Sequence, residues 1–258
     1  MFNPFYLEFG VKLYVINALR YVLIAGAAWL LFYVFKKTYF KRKRIQKTFP
    51  ETGDVFREVR YSFLTFFIFS IVGMTIKVLK DRGYTLMYNE ISDYGVPYFI
   101  VSILLMLLLH DTYFYWTHRM MHHKRLFPVF HRVHHLSNNP SPWAAFAFHP
   151  LEAVVEAGIL PLIVFVIPSH VAAVLIFLFI MTVMNVIGHL GYELYPAGFL
   201  KHRWLRWNNT STHHNMHHQL VKCNYGLYFN FWDSLMGTNH KNYEQRFEQA
   251  AKGENGTI

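Results

Sequence analysis

Residues 97–135 read PYFIVSILLMLLLHDTYFYWTHRMMHHKRLFPVFHRVHH. The stretch is apolar through Leu109, is interrupted by His110 and Asp111, and then gives way to histidines at 118, 122, 131, 134 and 135. A bilayer core is crossed by about 20 mostly apolar helical residues, so 97–116 is expected to span a membrane and to deliver a histidine-rich segment at its end. His118 and His122 are four apart and share a helix face, and HRVHH repeats the theme at His131, His134 and His135. The expectation is an all-α membrane protein with a metal site where the spans end.

Outward from this stretch, four more apolar runs have span length: 13–35, 61–79, 151–167 and 171–187. The last two sit back to back around Pro168 and Ser169, as a tight hairpin would. Arg20 is the only charge in the first run and is expected to snorkel from its end. The chain of 258 residues is thus read as one integral-membrane domain of about five transmembrane helices. Composition agrees: 53% of residues are hydrophobic and only 16% charged, against roughly a quarter in soluble domains.

Residues 36–60 carry nine basic and three acidic side chains. A basic run beside two spans marks the cytoplasmic loop, which accounts for the net charge of +10 without a nucleic-acid partner. Threading the spans from there places 118–150 and 188–258 in a cytosolic helical cap. All sixteen histidines but His110 and His170 fall in those two segments. His214, His217 and His218 form a second HxxHH within HHNMHH, and His189 follows the last span. Imidazole suits zinc, copper, iron or nickel, and so many ligands exceed what one ion takes, so the count points to two metals. The single cysteine, Cys223, excludes a disulfide framework and a four-cysteine iron–sulfur site. His170, His202 and His240 read as ordinary polar residues, and His123 and His213 point about 100° away from their cluster neighbours.

At these histidines the sequence resembles the fatty acid hydroxylase / sterol desaturase superfamily of integral-membrane diiron enzymes, which share an HxxxH, HxxHH, HxxHH series. The blocks YWTHRMMHH, FHRVHHLSNNP, AFHPLE and HHNMHHQLVKCNYGLYFNFWDSLMGT stand in the family's order over about residues 110–238. The resemblance implies two iron ions held by His118, His122, His131, His134, His135, His189, His214, His217 and His218, with zinc able to occupy the site in purified protein. Some hydroxylases of the family have a further histidine four residues after the one matching His189; this chain has Glu193. That carboxylate, expected on the same helix face, could bind metal, hold a water or support a ligand. His149 and Glu152 match family positions and read as groups around the ligands or lining the substrate, and Asp111 is a candidate for the same purpose.

The resemblance also implies the chemistry: an O2-dependent oxidoreductase that hydroxylates or desaturates a lipid C–H bond, the substrate being sterol-like or a fatty acyl or sphingoid chain. No dinucleotide fingerprint is present, so electrons come from an external donor, a ferredoxin or a cytochrome b5-like protein with its reductase. Lys201, Arg203, Arg206 and Lys222 are the expected docking patch. Trp143, Phe146, Phe148 and residues 225–232 are expected near the substrate mouth. The rival readings are a membrane haem protein, whose ligands would lie inside the spans, and a metal-handling protein, whose path would need ionisable groups through them. The polar stretch 241–258 is expected to fray.

Overall fold

The computed structural model describes residues 4–254. Helix α1 runs Pro4–Trp29 and continues through a π-helical turn to Phe35; α2 is Thr52–Asp81 and α3 is Gly95–Met121. Short helices α4 (Phe127–Phe130) and α5 (Arg132–His135) follow, then α6 (Pro150–Ala157), α7 (Ile159–Val166) and α8 (Val171–Gly188). The chain ends in α9 (Ser211–Leu220), α10 (Phe231–Leu235) and α11 (Tyr243–Lys252). The only strands among the described residues, β1 (Met87–Tyr88) and β2 (Ser169–His170), pair in parallel and tie two loops together.

Among the described residues, four helices are long and apolar enough to cross a membrane: Pro4–Phe35, α2, α3 and α8. The segment 151–167, read as a fifth span, is instead two eight-residue helices meeting at Gly158. Each is about 12 Å long at 1.5 Å per residue, too short to cross a bilayer singly.

The first helix begins nine residues earlier than hydropathy places it. Glu8 and Lys12 look like a polar flank, but they pair at 2.6 Å one turn apart and let the helix continue. Arg20 is therefore not near an end: it sits at the midpoint of the 32-residue run Pro4–Phe35. An arginine at a span centre costs about 2.5–3.5 kcal/mol on insertion scales, so its surroundings bear on function.

The basic segment between α1 and α2 lies at the histidine end of the bundle. Its Ile45 N–H donates to the Gly191 carbonyl at 2.9 Å, Lys43 accepts from Glu193 N–H at 2.9 Å, and the Gln46 amide reaches Asn215 at 3.1 Å. At the same end α1 and α2 pin the turn that follows α5. Tyr21 and Ser62 hydroxyls both donate to the Trp143 carbonyl, at 2.7 and 3.3 Å, and Ser141 donates to the Glu58 carboxylate at 2.5 Å. Around that turn Tyr21, Phe66, Phe146 and Phe177 form the buried centre of the bundle.

The C-terminal stretch does not fray over 243–252. Tyr243, Phe247, Ala250 and Ala251 recur on one face of α11 and bury against Leu200 and Met216. Residues 255–258, the rest of that expectation, lie outside the described residues.

Candidate metal centre

Five elements converge to present nine imidazoles. The end of α3 carries His118 and His122, the turn into α5 carries His131, α5 carries His134 and His135, His189 caps the end of α8, and α9 carries His214, His217 and His218. Their ring nitrogens form two groups: His118, His122, His131, His135 and His217 in one, and His134, His189, His214 and His218 in the other. In the first, Nε2–Nε2 separations are 2.9 Å for His118–His131, 3.3 Å for His118–His122, 3.2 Å for His122–His135 and 3.0 Å for His135–His217. In the second, His189 stands 3.2, 3.0 and 3.2 Å from His134, His214 and His218. The groups abut, with the His134 and His218 rings 4.7 Å apart and those of His135 and His218 4.9 Å apart.

The tautomers follow from what lies behind the rings. His118 Nδ1 is 2.8 Å from the Tyr225 carbonyl, His189 Nδ1 is 2.8 Å from the Asn185 carbonyl, and His217 Nδ1 is 2.7 Å from the Cys223 carbonyl. A carbonyl only accepts, so each Nδ1 carries the proton, and each Nε2 turns a bare lone pair inward. His131 does the same by donating from Nδ1 to Glu152 Oε1 at 2.5 Å, with both side chains buried. Burial also pushes His134, His135, His214, His217 and His218 well below the ordinary imidazole range, and His189 to about 4, so the rings are neutral near pH 7.

Converging bare lone pairs about 3 Å apart repel unless a cation lies among them. Two nitrogens on one ion at about 2.0–2.1 Å stand about 3.0 Å apart at right angles and about 3.4 Å apart at the tetrahedral angle. The spacings above match that interval, so both groups fit a metal ion. Neither group includes a carboxylate or thiolate among the described residues.

Helical spacing puts the histidines of each HxxHH on one face and predicts that they share one point, whereas the structure divides each box between the two groups. The i and i+4 histidines stay together, and the i+3 histidine crosses: His134 joins His214 and His218, while His217 joins His131 and His135.

Of the four residues expected around the ligands, Glu152 alone touches a cluster imidazole. Asp111 accepts from the backbone N–H of Tyr228 and Phe229 at 2.9 and 3.1 Å, and so holds the loop before α10. His149 caps α6, accepting from Leu151 N–H at 3.3 Å. Glu193 is not on a helix face with His189, because α8 ends at Gly188. Its carboxylate accepts from Thr212 N–H and hydroxyl at 3.0 and 2.7 Å and anchors the start of α9. Its burial raises its pKa above the ordinary carboxylate value. Of the histidines set apart, His213 is buried against Asn239 at 3.1 Å and His123 is exposed.

Sequence reasoning missed the loop 221–226 as a structural device. Val221 adopts φ 66° and Asn224 φ 60°, a left-handed conformation that costs a β-branched residue about 1–3 kcal/mol. The resulting turn presents the Cys223 and Tyr225 carbonyls to His217 and His118. Asp233 fixes it by accepting from Tyr225 and Gly226 N–H at 2.8 and 2.7 Å. The visible signal was the Asn-Tyr-Gly sequence at 224–226 with an acid seven residues on.

Beside the clusters, between α1, α2, α3, α6, α7 and α8, lies a cavity of about 90 Å³. Phe114, Phe148 and Asn185 line it. The Phe114 and Phe148 rings lie tilted against those of His118 and His134, with centroids 4.8 and 5.3 Å apart, and Asn185 supplies the carbonyl behind His189. Phe146 and Phe148, expected near the substrate, are part of its wall; Trp143 packs instead on Tyr21, with ring centroids 5.5 Å apart.

The fatty acid hydroxylase family matches residues 103–238. Among curated proteins, a Delta(7)-sterol 5(6)-desaturase of Gibberella zeae is 28% identical over 220 residues, 84% of this chain and 64% of that protein. A lathosterol oxidase of Rattus norvegicus is 31% identical over 229 residues, 88% of this chain and 73% of that protein. A Delta(7)-sterol 5(6)-desaturase of Aspergillus fumigatus is 30% identical over 247 residues, covering 87% and 75%. The chain thus spans about two thirds to three quarters of the length of these relatives. No solved structure gives a significant match.

Proposed function

Because the chain belongs to the fatty acid hydroxylase family, we propose that it is a membrane-embedded, O2-dependent oxidoreductase that hydroxylates or desaturates a lipid, with a sterol-like molecule the first substrate class to try. The observation that carries this reading is the pair of all-histidine clusters, with inward lone pairs, beside a largely apolar cavity among the spans. The nine clustered histidines would hold two iron ions, with zinc an occupant in purified protein. Bound there, the irons would activate dioxygen, which supplies the oxidising power that no side chain has.

The chain's own contribution is positional. The Tyr225, Asn185 and Cys223 carbonyls and the Glu152 carboxylate each hold one imidazole in a single tautomer and orientation, so the ligand set is organised before metal arrives. Phe114 and Phe148 stand between the clusters and the cavity and exclude water from the reacting carbon. A lipid enters from the bilayer among α1, α2, α3 and α8.

The clusters share an end of the bundle with the basic segment 36–47, and the positive-inside rule assigns that end to the cytoplasm. An external donor, a ferredoxin or a cytochrome b5-like protein with its reductase, then docks on that side, with Lys201, Arg203, Arg206 and Lys222 as the basic patch. The whole chain works as one membrane domain.

The test is lipid mass spectrometry of a host expressing the wild-type chain against one expressing His134→Ala. A lipid that gains one oxygen or loses two hydrogens only with the wild type is the expected result. Identical lipid profiles, in a host shown to supply iron and a competent donor, would overturn the reading.

A further inference from the structure

One ring against the first histidine group is readily oxidised, and it begins a series that reaches the surface. The Tyr225 ring centroid lies 5.1, 5.6 and 5.8 Å from those of His122, His217 and His118. Tyr115, buried on α3, follows at 6.4 Å. It stacks on Trp232 of α10 at 6.0 Å and 21°, and Trp232 meets Trp116 at 5.5 Å. Each step is within the range of aromatic contact, and Trp116, at the histidine end of α3, is 43% exposed. Among the described residues the second histidine group has no such neighbour, because the ring against it is Phe148, and a phenyl ring resists oxidation. Tyr115 also has a place for its proton. Thr238 Oγ1 gives its one proton to the Asp233 carboxylate at 2.7 Å, since a carboxylate only accepts. The Tyr115 hydroxyl, 3.0 Å from the same Oγ1, therefore donates to Thr238, while Arg119 donates to the Tyr115 oxygen at 3.2 Å. A phenol that loses an electron becomes a strong acid, and here a hydroxyl and a carboxylate stand in line within hydrogen-bond reach to take the proton.

We propose that Tyr225, Tyr115, Trp232 and Trp116 form a relay that carries an oxidising equivalent away from the first histidine group when no lipid is there to consume it, with Tyr115 as its resting place. One electron passes from Tyr115 across Tyr225 to the oxidised metal centre, which is reduced by one. The phenolic proton moves to Thr238 Oγ1 as the Thr238 proton moves to Asp233. A cellular thiol or ascorbate then gives up one electron at Trp116 and its own proton to water. That electron returns through Trp232 to Tyr115, and the phenolic proton comes back across the same two hydrogen bonds. Indole and phenol are easy to oxidise and hard to reduce, so a low-potential electron from a donor protein cannot rest on these rings. The relay is therefore an exit from the metal centre and not the donor's entrance. The proposal rests on the lipid-oxidising reading, which supplies the oxidant.

Electron paramagnetic resonance of the trapped radical tests it without turnover, with the purified full chain in detergent oxidised from each end. From the inside, the iron-loaded chain with no lipid added is given hydrogen peroxide. From the outside, the chain loaded with redox-inert zinc is flashed with a ruthenium–bipyridine photo-oxidant and persulfate. The Tyr115 signal is the part that ring-deuterated tyrosine narrows and Tyr115→Phe removes, and wild type is expected to give it in both samples. Tyr225→Phe should lose it from the inside only, and the double variant Trp116→Phe, Trp232→Phe from the outside only, opposite losses that misfolding does not produce. Thr238→Val should lose it from both, with metal content and monodispersity checking that the variant is folded. Spectra that Tyr115→Phe leaves unchanged in both samples, or a full Tyr115 signal in Thr238→Val, overturn the proposal. So does the absence of the signal after peroxide in an iron-loaded chain that oxidises lipid. A Tyr115 signal after the flash, lost in Thr238→Val, in a chain that oxidises no lipid in its host would leave the relay standing and remove the oxidase reading.

Discussion

Replacing Glu152 by alanine should weaken metal binding at one cluster and spare the other. The Glu152 carboxylate accepts from His131 Nδ1 at 2.5 Å, and both residues are buried, at 1% and 2% exposure. Alanine removes the acceptor and leaves a buried N–H unpaired, which costs about 1–3 kcal/mol. Loss of such a partner behind a ligand histidine typically lowers metal affinity about 10–100-fold, equivalent to about 1.4–2.7 kcal/mol, so the two routes agree. None of His134, His189, His214 and His218 hydrogen-bonds Glu152, so their ion should hold at wild-type affinity. Glu152→Gln keeps an oxygen that accepts from His131 and should lose less than about tenfold. Removing a buried carboxylate also relieves the burial of its second oxygen, which has no partner among the described residues. Melting temperature therefore moves less than affinity, and chelator competition with metal counting is the assay. Wild-type retention of both ions by the alanine variant, or equal losses from the two clusters, would refute the reasoning.

His134→Ala and His217→Ala should each abolish lipid oxidation while leaving membrane insertion intact. Each should lower metal content chiefly at the cluster opposite to its own HxxHH neighbours, as resolved by metal counting after mild chelation. Asp233→Ala leaves the Tyr225 and Gly226 N–H groups without their acceptor and should lower stability by about 2–4 kcal/mol; unchanged melting in detergent would contradict it. Gly226→Ala would drive a methyl group into the Phe229 carbonyl oxygen, the Asn209 amide and the Asp233 carboxylate, at a cost of about 1–3 kcal/mol, read in the same melting experiment.

Four of the five apolar runs and the clustering of the nine histidines were legible because each rests on a local signal, length of apolar run or repeat of histidine at helical spacing. What escaped depended on contacts distant in sequence or on compensation within a turn. Arg20 looked terminal because Glu8 and Lys12 hid the true start of the helix, and hydropathy counts each charge without seeing that they neutralise one another. Residues 243–252 looked polar on average, although a stripe of four small or aromatic residues was enough to fold them against Leu200. Glu193 was placed by its offset from His189, but the chain leaves the helix between them and the acid is spent on the start of α9 instead. The left-handed Val221 gave no warning, because its role is to aim backbone carbonyls, which carry no residue identity, and Asp233 showed only as an acid downstream of Asn-Tyr-Gly.

The division of the boxes has a geometric cause. At 100° per residue the i and i+4 histidines of an HxxHH differ by about 40° and face one point, whereas i+3 and i+4 differ by about 100° and cannot. A single box facing one ion would waste its middle ligand. Two boxes placed face to face, as the turn into α5 and helix α9 are here, let each pass its i+3 imidazole across to the other's pair. His134 and His217 are therefore the two threads by which the loop after α3 and the helix after α8 are stitched together. Holding either ion would tie both elements together, and with them the ends of two spans. The nine histidines thus do structural work that a pair of separate sites could not, since one group needs α3, α5 and α9 to meet and the other α5, the end of α8 and α9, so that α5 and α9 serve both.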